Sequence, residues 1–146
     1  MKMEWKGDKV MSAADKAVTK GLLEVGIVLH GQAVELCPVK TGNLKNSISF
    51  TLDGKVHGLN SAGGQKAKQS EGVKSSRDKD AVTVGTNVEY AARLEFGFQG
   101  TDSKGRKYNQ PAQPYLRPAV DVNIKNIEKI LGGEVGKGIK IEGAGK

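Results

Sequence analysis

A long run of apolar residues at helical spacing is the feature that most constrains how this chain can fold. Between residues 10 and 36, apolar side chains recur every three or four positions, which places them on one face of an α-helix about 40 Å long. Asp8 is expected to cap the start of this helix, and Pro38 is expected to end it. The apolar face consists of Val10, Ala14, Ala17, Val18, Leu22, Val25, Leu29, Ala33 and Leu36.

Three glycines, Gly21, Gly26 and Gly31, interrupt this helix. Each of them costs about 0.8–1 kcal/mol relative to alanine in a helix interior. Two interpretations follow. Either the helix is weak or kinked, or the missing side chains let another helix approach its backbone closely.

Shorter elements follow the helix. Alternation of apolar and polar residues over 48–52 predicts a half-buried strand. Asp53-Gly54 is a strong signal for a two-residue hairpin, so residues 55–59 are expected to form the returning strand. Residues 81–85 predict a third strand.

Two further helices are predicted in the second half of the chain. The first covers residues 90–96 and ends at Gly97. The second begins at Pro118, a residue suited to the first helical position, and is expected to stop at Gly132-Gly133. Its apolar stripe consists of Val120, Ile124, Ile127 and Leu131.

Polar segments separate these elements. Residues 60–80 and 98–113 are expected to be mobile loops, and residues 132–146 a glycine-rich tail, because their composition offers little apolar surface to bury. The prediction is one α+β domain over residues 1–146, with an ordered body at about 8–131. In it, the long N-terminal helix and the C-terminal helix pack on a small, mainly antiparallel sheet.

Charge and cysteine content narrow the functional class. The formal net charge is +7, which favours acidic partners such as nucleic acid, a membrane surface or an acidic protein. The single cysteine, Cys37, excludes a domain stapled by internal disulfides. Neither a long apolar run nor a signal peptide is evident, so a soluble protein from a reducing compartment, without a membrane partner, is expected.

Residues able to support catalysis are few. His30 and His57 have no cysteine or acidic neighbours at metal-ligand spacing. Cys37 follows His30 by two helical turns, so a nucleophile–base contact stays open, but a small buried cysteine is the favoured interpretation. No phosphate-binding loop or nucleophile elbow is found. The chain is therefore expected to be no enzyme and to need no cofactor or metal.

Two basic clusters raise nucleic-acid binding as a function. Aromatic residues that would stack on bases are missing from the first cluster, and the second has only Tyr108. Solvated loops are therefore favoured over sequence readout, with weak phosphate attraction as the alternative. The first cluster, a candidate partner contact, comprises Lys66, Lys68, Lys74, Arg77 and Lys79; the second comprises Lys104, Arg106 and Lys107.

Three local motifs occur in order along the chain: residues 37–48 (CPVKTGNLKNSI), 88–97 (VEYAARLEFG) and 113–119 (QPYLRPA). Together with the flanking helices, over about residues 8–131, they resemble the head–tail joining or tail-completion proteins of long-tailed bacteriophages, of the "gene product ten" type. The matching positions are Pro38, Thr41, Gly42, Leu44, Ser47, Tyr90, Ala91, Glu95, Gly97, Pro114, Tyr115, Leu116, Arg117 and Pro118. The long basic segment 60–80 and the residues 98–113 depart from the family pattern.

This resemblance implies a structural virion protein that assembles as a ring, six- or twelve-fold, in the neck between head and tail. Its implied partners are copies of itself and neck, head-completion and tail-tube proteins, with genomic DNA as a non-specific neighbour in the channel. The implied location is the virion, after assembly in the host cytoplasm. The alternative is a small basic nucleic-acid-binding accessory protein.

Two contacts are also predicted. Glu95 and Arg117 are the charged residues within their apolar motifs, so they are expected to pair and to tie the short helix to the last one. The segment 60–80 carries five basic and three acidic residues, and we expect it to become ordered against a neighbouring subunit or partner.

Overall fold

The computed structural model describes residues 7–58 and 80–143. Four helices and five strands are found there, in an α+β arrangement that confirms the predicted fold class. In chain order they are α1 (Gly7–Leu36), α2 (Asn43–Ser47), β1 (Ser49–Leu52), β2 (Lys55–His57), β3 (Val82–Gly85), α3 (Ala91–Phe96), β4 (Phe98–Thr101), β5 (Lys107–Gln110) and α4 (Leu116–Gly143).

The main sheet has β1 at its centre, in the order β2–β1–β3, with both pairings antiparallel. Phe50 lies opposite His57 on one side and Val84 on the other. The β1–β2 turn confirms the Asp-Gly signal. Asp53 and Gly54 both have positive φ angles, 49° and 75°, as a two-residue turn between right-twisted strands requires.

The long helix α1 packs against both α4 and the main sheet. At Gly21, an added Cβ atom would lie 3.1 Å from a methyl carbon of Leu131 and 3.7 Å from its Cα atom. At Gly26, an added Cβ would lie 2.5 Å from the Phe50 ring. Gly21 therefore permits the close helix–helix approach that was one of the two interpretations, and Gly26 permits a similar approach by the sheet.

The core lies where the C-terminal end of α1 meets α2, α3 and the start of α4. Its fully or almost fully buried side chains are Ala33, Cys37, Leu44, Ile48, Val88, Ala91, Tyr115 and Ala119. They come from all three sequence motifs and from α1. These motifs are therefore joined by packing as well as by hydrogen bonds.

Several predicted boundaries are wrong. The helix α1 begins at Gly7, so Asp8 is inside it, and α4 runs through Gly132 and Gly133 to Gly143, where a tail was expected. Tertiary contacts hold α4 on both sides of Gly132 and Gly133, which is why the helix continues through them. Leu131, just before the pair, packs on Gly21 of α1, and the Glu134 carboxylate, just after it, binds Lys20 of α1. Intrinsic propensity alone does not include such contacts.

Two other segments differ from their predictions. Residues 98–113 are not simply a loop, since 98–101 and 107–110 form the antiparallel hairpin β4–β5. In α4, the first half of the predicted apolar stripe faces away from the core: Val120 and Ile124 are 42% and 47% exposed, while Ala119 and Asn123 are buried. Its second half, Ile127 and Leu131, is half-buried, and Leu131 packs on α1 as the stripe predicts. The first basic cluster and the predicted docking segment lie outside the described residues, apart from the exposed Asp80.

An ion-pair cluster holds the distal part of the α1–α4 contact. Glu134 is 8% exposed, and its Oε2 atom lies 3.0 Å from Nζ of Lys20 while its Oε1 atom lies 3.2 Å from Nζ of Lys137. The Lys20 hydrogen bond, followed by that of Lys137, lowers the pKa of Glu134 below its ordinary value of 4.5. The ion pair with Glu134 also raises the pKa of Lys20.

We predict that the Glu134 cluster makes stability depend on pH. Because the folded-state pKa of Glu134 is lowered, its contribution is present above the ordinary pKa of 4.5 and is lost as the pH falls toward the folded value. Urea unfolding of wild type and Glu134→Gln should differ at pH 7, and the difference should shrink as the pH falls from 4.5 and vanish below the folded-state pKa of Glu134. Glu128→Gln, on the exposed side of α4, is the control, and an equal loss in that variant would contradict the prediction.

Tyr115 gives a second prediction about stability. Its side chain is fully buried, and its hydroxyl has no hydrogen-bond partner among the described residues. Burial also raises its pKa, so the group remains neutral. Tyr115→Phe should increase the free energy of unfolding by about 1 kcal/mol, because a buried unpaired hydroxyl is unfavourable.

The matched control for Tyr115→Phe is Tyr108→Phe. The Tyr108 hydroxyl donates to Oδ2 of Asp102 at 3.2 Å, so its removal should not stabilise the protein. Chemical denaturation of both variants gives the comparison. A loss of stability in Tyr115→Phe would show that its hydroxyl is paired in solution.

Candidate assembly surface

The first motif forms the connection between α1 and the main sheet. Its residues 38–42 make a turn in which Gly42 has a φ of 78°, a left-handed conformation that favours glycine. The Gly42 carbonyl accepts a hydrogen bond from the Asn46 amide at 2.9 Å, which starts the short helix α2. The predicted turn at Thr41-Gly42 is present, but α2 separates it from the strand.

Hydroxyl groups link the first motif to the segment that opens the second. Ser47 Oγ donates to the Leu44 carbonyl at 2.7 Å and lies 2.6 Å from Oγ1 of Thr86. The Val88 amide donates to the same Thr86 oxygen at 3.2 Å. Ser47 is buried, so this small network holds two distant parts of the chain together away from solvent.

Glu95 joins the second motif to the third. Its Oε2 atom accepts hydrogen bonds from the amides of Tyr115 and Leu116 at 2.9 and 3.1 Å, and Oε1 accepts from the Arg117 amide at 2.9 Å. These amides lie at the N-terminal end of α4, where backbone N–H groups have no partner within the helix. Glu95 therefore caps α4 from another element and also places a negative charge at the positive end of its dipole.

This arrangement corrects the prediction for Glu95 and Arg117. The two residues do meet and tie α3 to α4, but through the backbone amide of Arg117. No ion pair between their side chains is found in the described part of the chain, and Arg117 is exposed. The sequence motifs correctly indicated that α3 and α4 meet at these residues. Whether the backbone amide or the guanidinium of Arg117 faces the Glu95 carboxylate depends on the path of the chain, which the motifs do not give.

A close return of the backbone completes the junction. The Gln113 amide donates to the Leu94 carbonyl at 2.7 Å. Gly97 has a φ of 76°, and a Cβ there would lie 3.0 Å from both the Ala112 nitrogen and the Gln110 carbonyl oxygen. Gly97 is thus required by both its conformation and its neighbours, which explains its place at the end of α3.

The three motifs surround a cavity of about 550 Å³. Its wall combines aliphatic, aromatic and amide side chains, and Lys40 is its only charged lining residue among those described. At its edge Val39 and Tyr90 are 63% and 42% exposed, an arrangement that leaves apolar surface available to a neighbour. The lining residues are Pro38, Val39, Lys40, Thr41, Gly42, Leu44, Tyr90, Leu94, Gln110 and Gln113; we call this the motif surface.

The motif residues have different places around this surface. Ser47, Ala91 and Tyr115 are buried beneath it, Leu116 packs against the core, and Pro118 is half-buried in the first turn of α4. Pro114 and Arg117 are exposed. The buried positions therefore support the motif surface, whereas Pro114 and Arg117 are exposed outside its lining.

The residues considered for catalysis occupy separate environments. His30 Nε2 lies 3.0 Å from the Ile48 carbonyl oxygen, and the His57 ring stacks on Phe50 with centroids 5.0 Å apart. Cys37 is buried, burial raises the pKa of its thiol, and its Sγ atom lies 3.6 Å from the Pro38 carbonyl oxygen. Both histidines thus pack against the sheet.

The described residues contain neither a candidate metal site nor a candidate membrane span. No group of three or more His, Cys, Asp and Glu residues at metal-binding distance occurs there. The helices there have no stretch that is long and apolar enough to cross a membrane.

Sequence reasoning missed Asp102, which organises the turn between β4 and β5. Its carboxylate accepts four hydrogen bonds, including those of the Lys104 and Arg106 amides at 2.9 Å. The Arg106 amide is the main cause of the lowered pKa of Asp102. Asp followed three positions later by Gly105, which has a φ of 75°, is a turn signature that could have indicated it.

We predict that Glu95→Ala destabilises the protein by about 1–2 kcal/mol, because three amides lose their acceptor and helix caps contribute on this scale. Chemical denaturation measures the loss, and Glu95→Gln should lose less because its side chain keeps one acceptor oxygen. Glu89→Ala, an exposed position two residues before α3, is the control. Equal stabilities of Glu95→Ala and Glu89→Ala would disprove the capping role.

Comparison with known proteins identifies the family to which this chain belongs. No curated protein and no solved structure matches the chain. The model of a family described as bacteriophage HK97 gp10, a candidate tail component, matches residues 2–97. The match includes α1, the main sheet and the first two motifs, and so agrees with the resemblance drawn from the motifs. It covers well over half of the sequence, and the chain therefore belongs to the HK97 gp10-like family of bacteriophage tail components.

Proposed function

We propose that this protein is a structural component of the phage neck, where copies of it form a ring that joins or completes the top of the tail. The family match over residues 2–97 is the observation that carries this proposal, because it assigns the chain to phage tail components. The neck position, the ring and its six- or twelve-fold symmetry go beyond that match. So do contacts with head-completion and tail-tube proteins, and assembly in the host cytoplasm.

The distribution of exposed apolar residues supports an assembly role. Phe96 at the end of α3 is 77% exposed, and Val122 on α4 is 72% exposed. Val39 and Tyr90 add further apolar area on the motif surface itself. Val39 and Tyr90 share one surface, and exposed apolar side chains that gather in this way are typical of sites that are covered by another protein chain.

Charge supports contact with acidic neighbours without selecting among them. The net charge of +7 attracts acidic proteins and the DNA in a tail channel alike. The three basic residues of the second cluster are exposed, and Tyr108 is the exposed aromatic residue beside them among the described residues. The neighbouring Phe98 ring is half-buried and covered by Arg93, so base stacking is poorly supported there. A structural role is therefore favoured over nucleic-acid binding.

The test of this function is a phage that lacks the gene, complemented in the host by wild type or variants. We predict that the deletion leaves heads and tails unjoined in electron micrographs, and that labelled protein is found at the neck of complemented particles. Val39→Asp should fold normally but reduce infectious particles at least about tenfold, because a charge would be buried in the contact.

Val56→Asp is the matched control, since Val56 is also exposed but lies on β2, apart from the motif surface. Complete particles from the deletion strain would overturn the neck role. A purified protein that binds DNA with a steep salt dependence, and is missing from particles, would favour the nucleic-acid-binding alternative.

A further inference from the structure

The hairpin β4–β5 projects as an isolated two-stranded ribbon, which we call the hairpin arm (residues 98–110). It forms a sheet of its own, and all four residues of β5 are exposed. Two-stranded hairpins are at best marginally stable in water. A defined arm of this size therefore needs local fixation, and neither of its strands pairs with a third strand among the described residues.

Asp102 supplies the fixation at the tip. Its Oδ1 atom accepts from two amides of the turn at 2.9 Å, and its Oδ2 atom lies 2.7 Å from Nε of Arg106. At the base, the Arg93 guanidinium lies 4.7 Å from the centre of the Phe98 ring, a cation–π contact with α3. The arm is thus held in one conformation before any partner binds, which reduces the entropy lost on docking.

The arm is basic at its tip. Lys104, Arg106 and Lys107 outnumber Asp102, so residues 98–110 carry a net charge of 3 − 1 = +2. Asp102 already pairs with Arg106, whereas Lys104 and Lys107 are exposed and form no ion pair with any other described residue. Two lysine charges on a fixed support are consequently available to an acidic surface.

An acidic surface of matching charge lies on the outer side of α1. Residues 21–36 contain two acidic residues, Glu24 and Glu35, and no basic ones, which gives −2, while Lys20, one turn before Glu24, already forms an ion pair with Glu134 of α4. With Ile27 and Gly31, these glutamates follow helical spacing along one side, and Ile27 is 57% exposed. Among described residues, nothing lies within 4 Å of a Cβ built on Gly31, so no contact within the chain explains that glycine.

We propose that the hairpin arm of one copy docks on this outer face of α1 in a second copy. Lys104 and Lys107 would face Glu24 and Glu35, and Gly31 would allow the ribbon to approach the helix backbone. Because the two surfaces differ, the contact is heterologous and repeats from copy to copy, which generates a closed ring or a filament. The inference rests on the proposed function, in that it names the contact that would build the ring.

The test uses charge reversal in both surfaces. We expect K104E/K107E and E24K/E35K each to weaken self-association at least about tenfold, because like charges then face each other across the contact. Sedimentation velocity at low and high salt measures it, with circular dichroism as a check on folding. K125E/K129E changes the net charge as much as the arm variant does, on exposed positions of α4, and should retain wild-type association.

Mixing the two reversed proteins is the decisive measurement. In the mixture, the acidic arm of one meets the basic α1 of the other, and the basic arm meets the acidic α1, so association should return in alternating assemblies. Failure of the mixture to associate, or an arm variant that associates as wild type does, overturns the proposal. Loss of DNA binding without loss of self-association in K104E/K107E also overturns it and assigns the arm to DNA.

A cross-linking experiment covers the case of a wild-type chain that is monomeric in free solution. Ser103→Cys in the arm and Ile27→Cys on the same side of α1, placed in one chain, are treated with a bismaleimide in phage particles and in the lysate. A link between copies is expected, and its absence from both samples overturns the contact. If the protein is found at the neck but the two cysteines are not linked, only the docking proposal is refuted. If linked rings form but are absent from phage particles, only the proposed role in the neck is refuted.

Discussion

The close approach of two neighbouring elements to the backbone of α1 is the constraint on which the rest of the structure depends. Gly21 admits α4, and Gly26 admits Phe50 of the main sheet. A side chain at either position would need its neighbour to move, most severely at Gly26, where an added Cβ would lie 2.5 Å from the ring. These contacts offset the propensity cost of glycine and fix where the sheet and α4 lie along one helix.

The second determinant is the junction at Glu95. Its carboxylate is the shared acceptor for the first amides of α4, so the position of α3 fixes the start of the longest helix in the second half of the chain. The same junction places Tyr90 and Leu94 beside the turn at residues 38–42, which creates the motif surface. Buried motif residues can thus control the shape of the surface that we propose as a partner contact.

The two candidate contact surfaces have different relations to the family. The motif surface is built largely from residues within the matched range 2–97, whereas the hairpin arm and α4 follow it. Their physical character also differs. The motif surface is a cavity edged by apolar side chains, suited to shape and hydrophobic burial, while the arm presents fixed charge that favours orientation and specificity.

The sequence by itself determined those features that depend on local interactions. Helical periodicity gave α1 to within a few residues of its start, and the Asp53-Gly54 turn and the alternation around Phe50 gave the β1–β2 hairpin. The three motifs also indicated the family and, through Glu95, the junction between α3 and α4. Each of these signals lies within a few neighbouring residues, where backbone sterics and side-chain spacing act directly.

Only the tertiary structure decided the remaining features, because they depend on residues that are distant in sequence. Whether a glycine weakens a helix or admits a neighbour was settled by Leu131 at Gly21 and by Phe50 at Gly26, and Gly31 has no such neighbour among the described residues. The continuation of α4 past Gly133 depends on Lys20 of α1, more than 100 positions earlier. Exposure of Val120 and Ile124 likewise depends on which face of α4 packs on α1. Propensity and periodicity describe what a segment can form, and packing between segments selects which face and which end point are realised.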